Sequence, residues 1–265
     1  MVAWRWRRQL DSLPHRHPDV VDGAWPSHSA AAAGTGGGEA GGFAGLKKER
    51  VSIALPTGVL LPGALKMLGR AGVARLSATE LGRMLLVERP SVRVILVRPA
   101  DVPAYVDHGA ADLGIVGKDV LWESPGAHYE LVDLGFGACS LVLAVPAGSK
   151  LAGRETWPPL LRVATKYPRT TASWFESHGQ SVEVVRLHGS VELAPQVGLV
   201  DGIVDLTASG RTLRENKLRI VATLGSSTAR LIANQASLKT RTEAVQSMVG
   251  RLRAAADRPS GAAAV

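Results

Sequence analysis

Between Val204 and Asn216 the chain reads VDLTASGRTLREN, an apolar run that ends in Asp205 and then passes through hydroxyls, a glycine and a cation. A plain surface turn needs only Gly or Asn. Here Ser209 and Thr212 add hydroxyl donors, and Gly210 lets the backbone approach an oxyanion closely. Thr212-Leu213-Arg214-Glu215 fits a capping box, which predicts a helix beginning at Thr212. A helix start offers free N–H groups and the positive end of a dipole, so the combination suits a phosphate. Asp205, just upstream, suits hydrogen bonds from sugar hydroxyls. Spacing alone fits an ordinary strand–turn–helix junction equally well. The pattern GxxxxGK is absent, so this is not a nucleoside-triphosphate P-loop.

The elements that must hold such a loop show in the apolar pattern. VSIAL, VRVILV, ADLGIVG, SLVLAV, LRVATK, VEVVRL and DGIVDLT read as strands. LPGALKMLGRAG, ATELGRMLLVE, VPAYVDHGA, TTASWFESHG, VELAPQVGL and SLKTRTEAVQSMVGRLRAA read as helices. Buried strands with helices between them predict an α/β architecture with mainly parallel sheets. Parallel strands put their functional loops at their C-terminal ends. SKLAGRETWPP, residues 149–159, breaks the periodicity and ends in two prolines, the mark of a hinge. Residues 1–46 differ from the rest. Their Ala/Gly-rich stretch SHSAAAAGTGGGEAGGFAG cannot supply a packed core, so a disordered tail is expected. Its WRWRR start reads as an untethered terminus in preference to a nucleic-acid or membrane contact.

Composition narrows the chemistry. An apolar content of 46% over 265 residues supports a buried core. No run approaches the ~18 apolar residues of a membrane span, and the basic start has no apolar stretch behind it to act as a secretory signal. A cytoplasmic protein is expected. One cysteine, Cys139, excludes an internal disulfide framework; within GACSLVLAV it reads as a buried, inert thiol. The net charge of +8 suits an anionic partner, and because the cations are scattered, small anions are favoured over nucleic acid.

Taken in order, IALPTGVLLPGALKMLGRAG, VRPADVPAYVDHGAADLGIVGKDVLWE, YELVDLGFGACSLVLAVP, RVATKYPRTTASWFESHG, HGSVELAPQVGLVDGIVDL, DLTASGRTLREN and SSTARLIANQASLKTR resemble ATP phosphoribosyltransferase, the first enzyme of histidine biosynthesis. The match covers nearly everything after the tail. It implies a two-lobed α/β fold like the type II periplasmic binding proteins, with a central cleft. The boundaries it implies are 47–145 plus 222–255 for lobe one and 146–221 for lobe two, with 256–265 a flexible end. It implies condensation of ATP, through adenine N1, with phosphoribosyl pyrophosphate, releasing pyrophosphate, with Mg²⁺ carried on the substrate phosphates. The chain ends soon after the helix at 237–254, as in short-form members. These work in a hetero-octamer with a regulatory subunit resembling histidyl-tRNA synthetase.

The resemblance also assigns roles. Asp205, Thr207, Ala208, Ser209, Gly210, Arg211 and Thr212 would hold phosphoribosyl pyrophosphate, with Glu192 of GSVELAP facing the ribose. Arg83 and Arg98 match the family's arginines for pyrophosphate or ATP phosphates, a task suited to forked guanidinium groups. Thr57, Gly58, Gly117 and Lys118 would meet ATP. Plainer readings stand beside these: a solvated helix face for Arg83, a solvated ammonium for Lys118, a helix-dipole partner for Glu192. His108 and His188 read as surface or packing residues, Trp122 and Trp174 as core or lobe-interface residues. The chain departs from the family where Lys-Gly-Arg is usual and Thr57-Gly58-Val59 stands. Ala208, Ser209 and Ser140 also replace a usually polar or acidic residue, a Thr and a common basic residue. Weaker ATP binding follows unless Arg70 or the partner compensates. A non-catalytic paralogue that only binds phosphoribosyl groups is the alternative function. A solute-binding protein of the same fold would need export.

Overall fold

The computed structural model describes residues 50–153 and 157–258. The expected tail at 1–46, residues 154–156 of the expected hinge, and the chain from 259 onward lie outside the described residues.

The first part of the chain gives β1 (Val51–Pro56), α1 (Leu61–Arg70), a single-turn α2 (Ala78–Leu81), β2 (Leu86–Glu88), β3 (Val92–Val97), α3 (Val102–Asp107), β4 (Leu113–Gly117), α4 (Lys118–Glu123) and β5 (Tyr129–Asp133). Next come β6 (Cys139–Pro146), β7 (Leu161–Thr165), α5 (Pro168–Ser177), β8 (Val182–Arg186), β9 (Gly202–Thr207), α6 (Arg211–Glu215) and β10 (Leu218–Ser227). Then β11 (Ala229–Ala233) is followed by α7 (Gln235–Thr240) and α8 (Thr242–Asp257). A six-stranded sheet runs in the order β2-β3-β1-β4-β11-β5, and a five-stranded sheet in the order β10-β6-β9-β7-β8. The chain therefore crosses from the first sheet to the second after β5 and returns after β10. The crossings lie side by side: Leu134 N–H donates to the Ala229 carbonyl and Ala229 N–H to the Phe136 carbonyl, both at 2.9 Å.

Each sheet is built on a parallel trio, β3-β1-β4 in the first and β8-β7-β9 in the second. β6 and β11, the strands that enter each sheet from a crossing, run against their trio, so every pairing they make is antiparallel. The sheets are thus mixed, where the apolar runs predicted mainly parallel ones. Period-two alternation covers both faces of each sheet. In the first, Ile53, Leu55 and Ile115 pack with Leu68 of α1 and Met248 of α8, while Ala54, Val116 and Ile232 pack with Val102 and Val106 of α3. In the second, Val142 and Ile203 pack with Val191 and Leu213, and Leu143, Val163 and Val204 pack with Phe175 of α5.

Two expected helices are largely absent. ATELGRMLLVE forms only α2: a capping box between Ser77 and Glu80 starts it, and Gly82 at φ +51° stops it, after which the chain becomes the edge strand β2. VELAPQVGL forms one 3₁₀ turn, Val191–Leu193, because Pro195 lacks the N–H that a helix needs. The expected final helix is broken at Arg241 into α7 and α8.

Asp112, buried at the entry to β4, ties the first sheet to the C-terminal helices. It accepts hydrogen bonds from Ser52 N–H (2.7 Å), the Ser52 hydroxyl (2.7 Å), the Ser237 hydroxyl (2.8 Å) and Arg241 Nη1 (2.5 Å). Burial pushes its carboxyl upward, but the donors from Ser52, Ser237 and Arg241 outweigh it and hold the group below the usual 3.8. A depressed folded-state value stabilises the fold above the unfolded value, and the contribution is lost as pH falls through the folded one. Urea melts should therefore show stability lost below about pH 4. Asp112→Ala should lower it by about 3 kcal/mol at pH 7 and flatten that acid limb; an unchanged midpoint would refute the anchoring role.

Candidate functional site

The C-terminal ends of the first trio lie together. Thr57 follows β1 and its N–H donates to the Val97 carbonyl at the end of β3 (2.8 Å), which sets Arg98 beside it. Gly58 turns the chain at φ +80°, and Val59 projects into solvent at 94% exposure. Arg83 lies in the turn before β2, and because Leu85 accepts from Leu96 N–H (2.8 Å) it sits at the same end of the sheet as Arg98. Both arginines are exposed, and among the described residues neither guanidinium has a hydrogen bond or ion pair. Lys118 is different. Its Nζ lies 2.5 Å from Glu130 on β5, which Arg230 also approaches at 3.3 Å. Arg70, the compensating cation considered above, ends α1 about 15 Å from the Thr57 turn and donates to the Arg258 carbonyl. It does not reach the site.

The second trio presents the hydroxyl-rich loop at the end of β9. Gly210 has φ +70° and its N–H donates to Thr207 Oγ1 (2.8 Å), so Thr207 closes the turn. α6 starts at Arg211, with Gly210 at the cap position and no side-chain cap. The capping box expected at Thr212 is not formed; Glu215 instead pairs with Arg211 at 2.7 Å, one helical turn away. Ala208, Ser209, Arg211 and Thr212 are exposed, while Gly210 is buried. Asp205 and Thr207 share one face of β9, and Thr207 stands opposite Ser140 of β6. Burial pushes the Asp205 carboxyl above its usual range, and Glu192 nearby adds to the push; Leu206 N–H and the Lys166 ammonium oppose it. The loop, Asp205 and Glu192 are thus brought together as expected.

The two edges meet around residues the sequence reading passed over. Asp119, in the first turn of α4, is buried; its N–H donates to Ser227 Oγ (3.0 Å) and its Oδ1 accepts from the same hydroxyl (2.7 Å). Tyr167, after β7, donates its phenol to Asp119 Oδ2 (3.3 Å). Burial, then the Asp119 and Asp205 charges, drive the Tyr167 hydroxyl well above its usual range. Cys139 is half-buried, not fully buried, and burial with the Asp119 charge raises its thiol, which keeps it inert. Gly117 has a structural reason: a Cβ there would lie 2.2 Å from Asp119 Oδ1. A glycine before Lys-Asp was the available signal for Asp119. Trp122 packs on the second sheet's cluster and Trp174 stacks on His178 at 4.0 Å, so both are packing residues.

A family profile described as ATP phosphoribosyltransferase (HisG) matches residues 98–254. A curated ATP phosphoribosyltransferase from Symbiobacterium thermophilum is 49% identical over 220 residues, covering 80% of this chain and 98% of the relative. The solved ATP phosphoribosyl transferase (HisG:HisZ) complex from Thermotoga maritima superposes with a TM-score of 0.67 at 35% identity, covering 79% of this chain and 99% of that one. The alkanesulfonate-binding protein SsuA from Xanthomonas axonopodis pv. citri, bound to MOPS, gives a TM-score of 0.50 at 15% identity, covering 80% and 74%. That last likeness concerns fold alone, the two-lobed α/β arrangement of type II periplasmic binding proteins.

The crowding at Gly117 yields a contrast. Gly117→Ala should destabilise by about 1–3 kcal/mol, because Asp119 must move. Gly69→Ala, in α1 with open space around it, should stabilise by up to about 1 kcal/mol. Equal thermal shifts for the two variants would contradict the account of Asp119.

Proposed function

The chain belongs to the ATP phosphoribosyltransferase family, and from that premise we propose how its residues divide the work. The reaction joins N1 of the adenine of ATP to C1 of the ribose of phosphoribosyl pyrophosphate. The N1–C1 bond forms as the bond from C1 to the pyrophosphate oxygen breaks, and pyrophosphate leaves with that electron pair. It is the first step of histidine biosynthesis.

The observation that carries the assignment is the loop after β9, with its αL glycine, Thr207 closure and exposed hydroxyls beside two carboxylates. Ser209, Thr212 and the remaining amides between Ala208 and Thr212, with Arg211, hold the 5′-phosphate, while the Gly210 N–H stays with Thr207. Asp205 and Glu192 accept from the ribose hydroxyls, donors that relieve the crowding of two nearby carboxylates. Arg98 and Arg83, at one end of the first sheet and without a hydrogen bond or ion pair among the described residues, take the pyrophosphate and ATP phosphates, where preorganised cations favour the charge that gathers on the leaving group. Thr57, Gly58, Gly117 and the Lys118 backbone contact ATP, while the Lys118 ammonium remains with Glu130. Adenine N1 is a modest nucleophile, so alignment across the cleft supplies much of the acceleration. Mg²⁺ carried on the substrate phosphates would neutralise part of their charge, with Arg98 and Arg83 supplying the protein's share.

Lobe one would comprise 47–145 plus 222–255 and lobe two 146–221, around the cleft. The relative solved in complex with HisZ supports a regulatory partner subunit; that this partner resembles histidyl-tRNA synthetase and assembles as a hetero-octamer is carried by the family resemblance alone. No described helix is long and apolar enough to cross a membrane, and a cytoplasmic site of action fits the pathway.

Pyrophosphate release that needs ATP, phosphoribosyl pyrophosphate and the partner is the direct test. Saturable binding of the donor with no release would favour the non-catalytic paralogue, the reading that the missing cations at Thr57 and Val59 encourage. Ser209→Ala and Thr212→Val should each raise the donor KM about 10- to 100-fold, since each removes a hydrogen bond to a charged group, with the ATP KM nearly constant. Equal changes in both constants would misplace the loop. Thr57→Lys/Val59→Arg should lower the ATP KM several-fold; no improvement would show that other groups already supply that charge.

A further inference from the structure

Helix α4 follows a strand of the first sheet and packs Val120 and Leu121 on that sheet's cluster, yet it also reaches the second sheet. Trp122 packs against the cluster formed by Leu141, Leu143, Val163 and Phe175, and Gly225 of β10 makes room for it, since a Cβ there would lie 2.8 Å from the indole. Glu123, the last residue of α4, accepts hydrogen bonds from Arg169 N–H (2.9 Å), Thr170 N–H (3.0 Å) and the Thr170 hydroxyl (2.9 Å). Those amides belong to the first turn of α5. A helix start is ordinarily capped by the residue just before it. Tyr167 holds that position and its side chain makes no cap bond; its hydroxyl goes to Asp119 instead. Asp119 and Glu123 are four residues apart, on one face of a helix, and both reach the segment 167–170.

We propose that Glu123 is a positioning residue for the transfer reaction. By capping α5 from the opposite sheet, with Asp119 holding Tyr167 beside it, it fixes the strand ends that carry the donor loop relative to those that carry the arginines. β7 leads directly into α5 and pairs with β9, which carries the loop, so a shift of α5 is passed to the loop through one strand pairing. Bond formation between two substrates held on different sheets depends on that alignment, and a displacement near 1 Å costs about 10²-fold in rate. The inference rests on the proposed reaction, and the test separates the two.

The experiment compares wild type, Glu123→Ala and Glu123→Gln as full chains with the regulatory subunit. Hydrogen exchange at Arg169 and Thr170 reports the cap. Turnover is normalised to folded sites by donor binding, well below the melting temperature. Glu123→Ala should expose both amides and lower kcat per site about 10- to 100-fold, with the donor KM within about threefold because the loop itself is intact. Glu123→Gln keeps one carbonyl acceptor and should recover part of both effects. A Glu123→Ala variant with wild-type kcat per site overturns the positioning role, even if its melting temperature falls, because a purely local cap predicts that result. An unmodified chain with no turnover on both substrates removes the proposed reaction and this inference with it, whereas normal wild-type turnover with an indifferent Glu123 removes this inference alone.

Discussion

The pair of crossings between the sheets is the constraint on which the rest depends. Because Leu134, Phe136 and Ala229 bond to one another, the two passages form a short antiparallel ribbon instead of independent linkers. Thr228 adds a hydroxyl bond to Asp133 (2.8 Å), and Ser227 places its hydroxyl on Asp119. A ribbon resists twisting far more than a single strand, since both passages must deform together. With it in place, the C-terminal ends of both parallel trios open toward one region, and residues far apart in sequence become neighbours. Asp119 and Tyr167 are 48 positions apart, Asp119 and Ser227 are 108 apart.

The same convergence sets the electrostatics. Asp119 is buried, Asp205 is partly buried, and Tyr167 and Cys139 lie near one or both. Burial first, and then the negative charge of the neighbouring carboxylates, push the thiol and the phenol up. Asp119 keeps company through donors: the Ser227 and Tyr167 hydroxyls both bond its oxygens. Acidic groups at the joint, and two arginines at the strand ends with no ion pair among the described residues, divide this region by charge. On the proposed assignment, phosphates would be drawn to one part, and sugar hydroxyls and a nascent cationic adenine would suit the other.

Much of this was legible in sequence. The strands of both trios read out correctly because parallel strands covered on both faces are short, apolar and β-branched; the edge strand β8, with no fully buried residue, kept the signal through Val182, Val184 and Val185. β5, β10 and β11 were missed as strands: β10 has only its first and last residues buried, so it lacks a continuous apolar run, and the period-two rule needs one buried face. The ATELGRMLLVE and VELAPQVGL segments had helical spacing that Gly82 and Pro195 overruled. The hydroxyl loop was found because its residue types are unusual for a turn. Its cap was misassigned because Gly210 at φ +70° starts the helix one residue earlier, and Glu215 finds Arg211 closer than the backbone. Glu123 carried no local signal, because its partners are supplied by the other sheet, and Asp119 carried only the glycine two residues before it.

The missing cations at positions 57 and 59 can now be weighed against what the fold leaves available. Arg70 is excluded by its position at the far end of α1 and its bond to Arg258, and the Lys118 ammonium is held by Glu130. A net charge of +8 attracts a polyanion from a distance, but salt screens that field beyond about 8–10 Å, so it accelerates encounter without orienting phosphates in the cleft. Orientation needs charges at the strand ends. Arg98 and Arg83 remain on the first sheet, and on the second Lys166 stands exposed at the end of β7, close enough to Asp205 to oppose part of the upward push that burial gives its carboxyl. A cation on the loop's own sheet serves the donor before it serves ATP. Under the proposed division of residues, Thr57 and Val59 would therefore not thin the charge evenly: the phosphoribosyl side would stay furnished and the nucleotide side would be poorer, which would make nucleotide affinity, not donor affinity, the property most exposed to help from a neighbouring subunit.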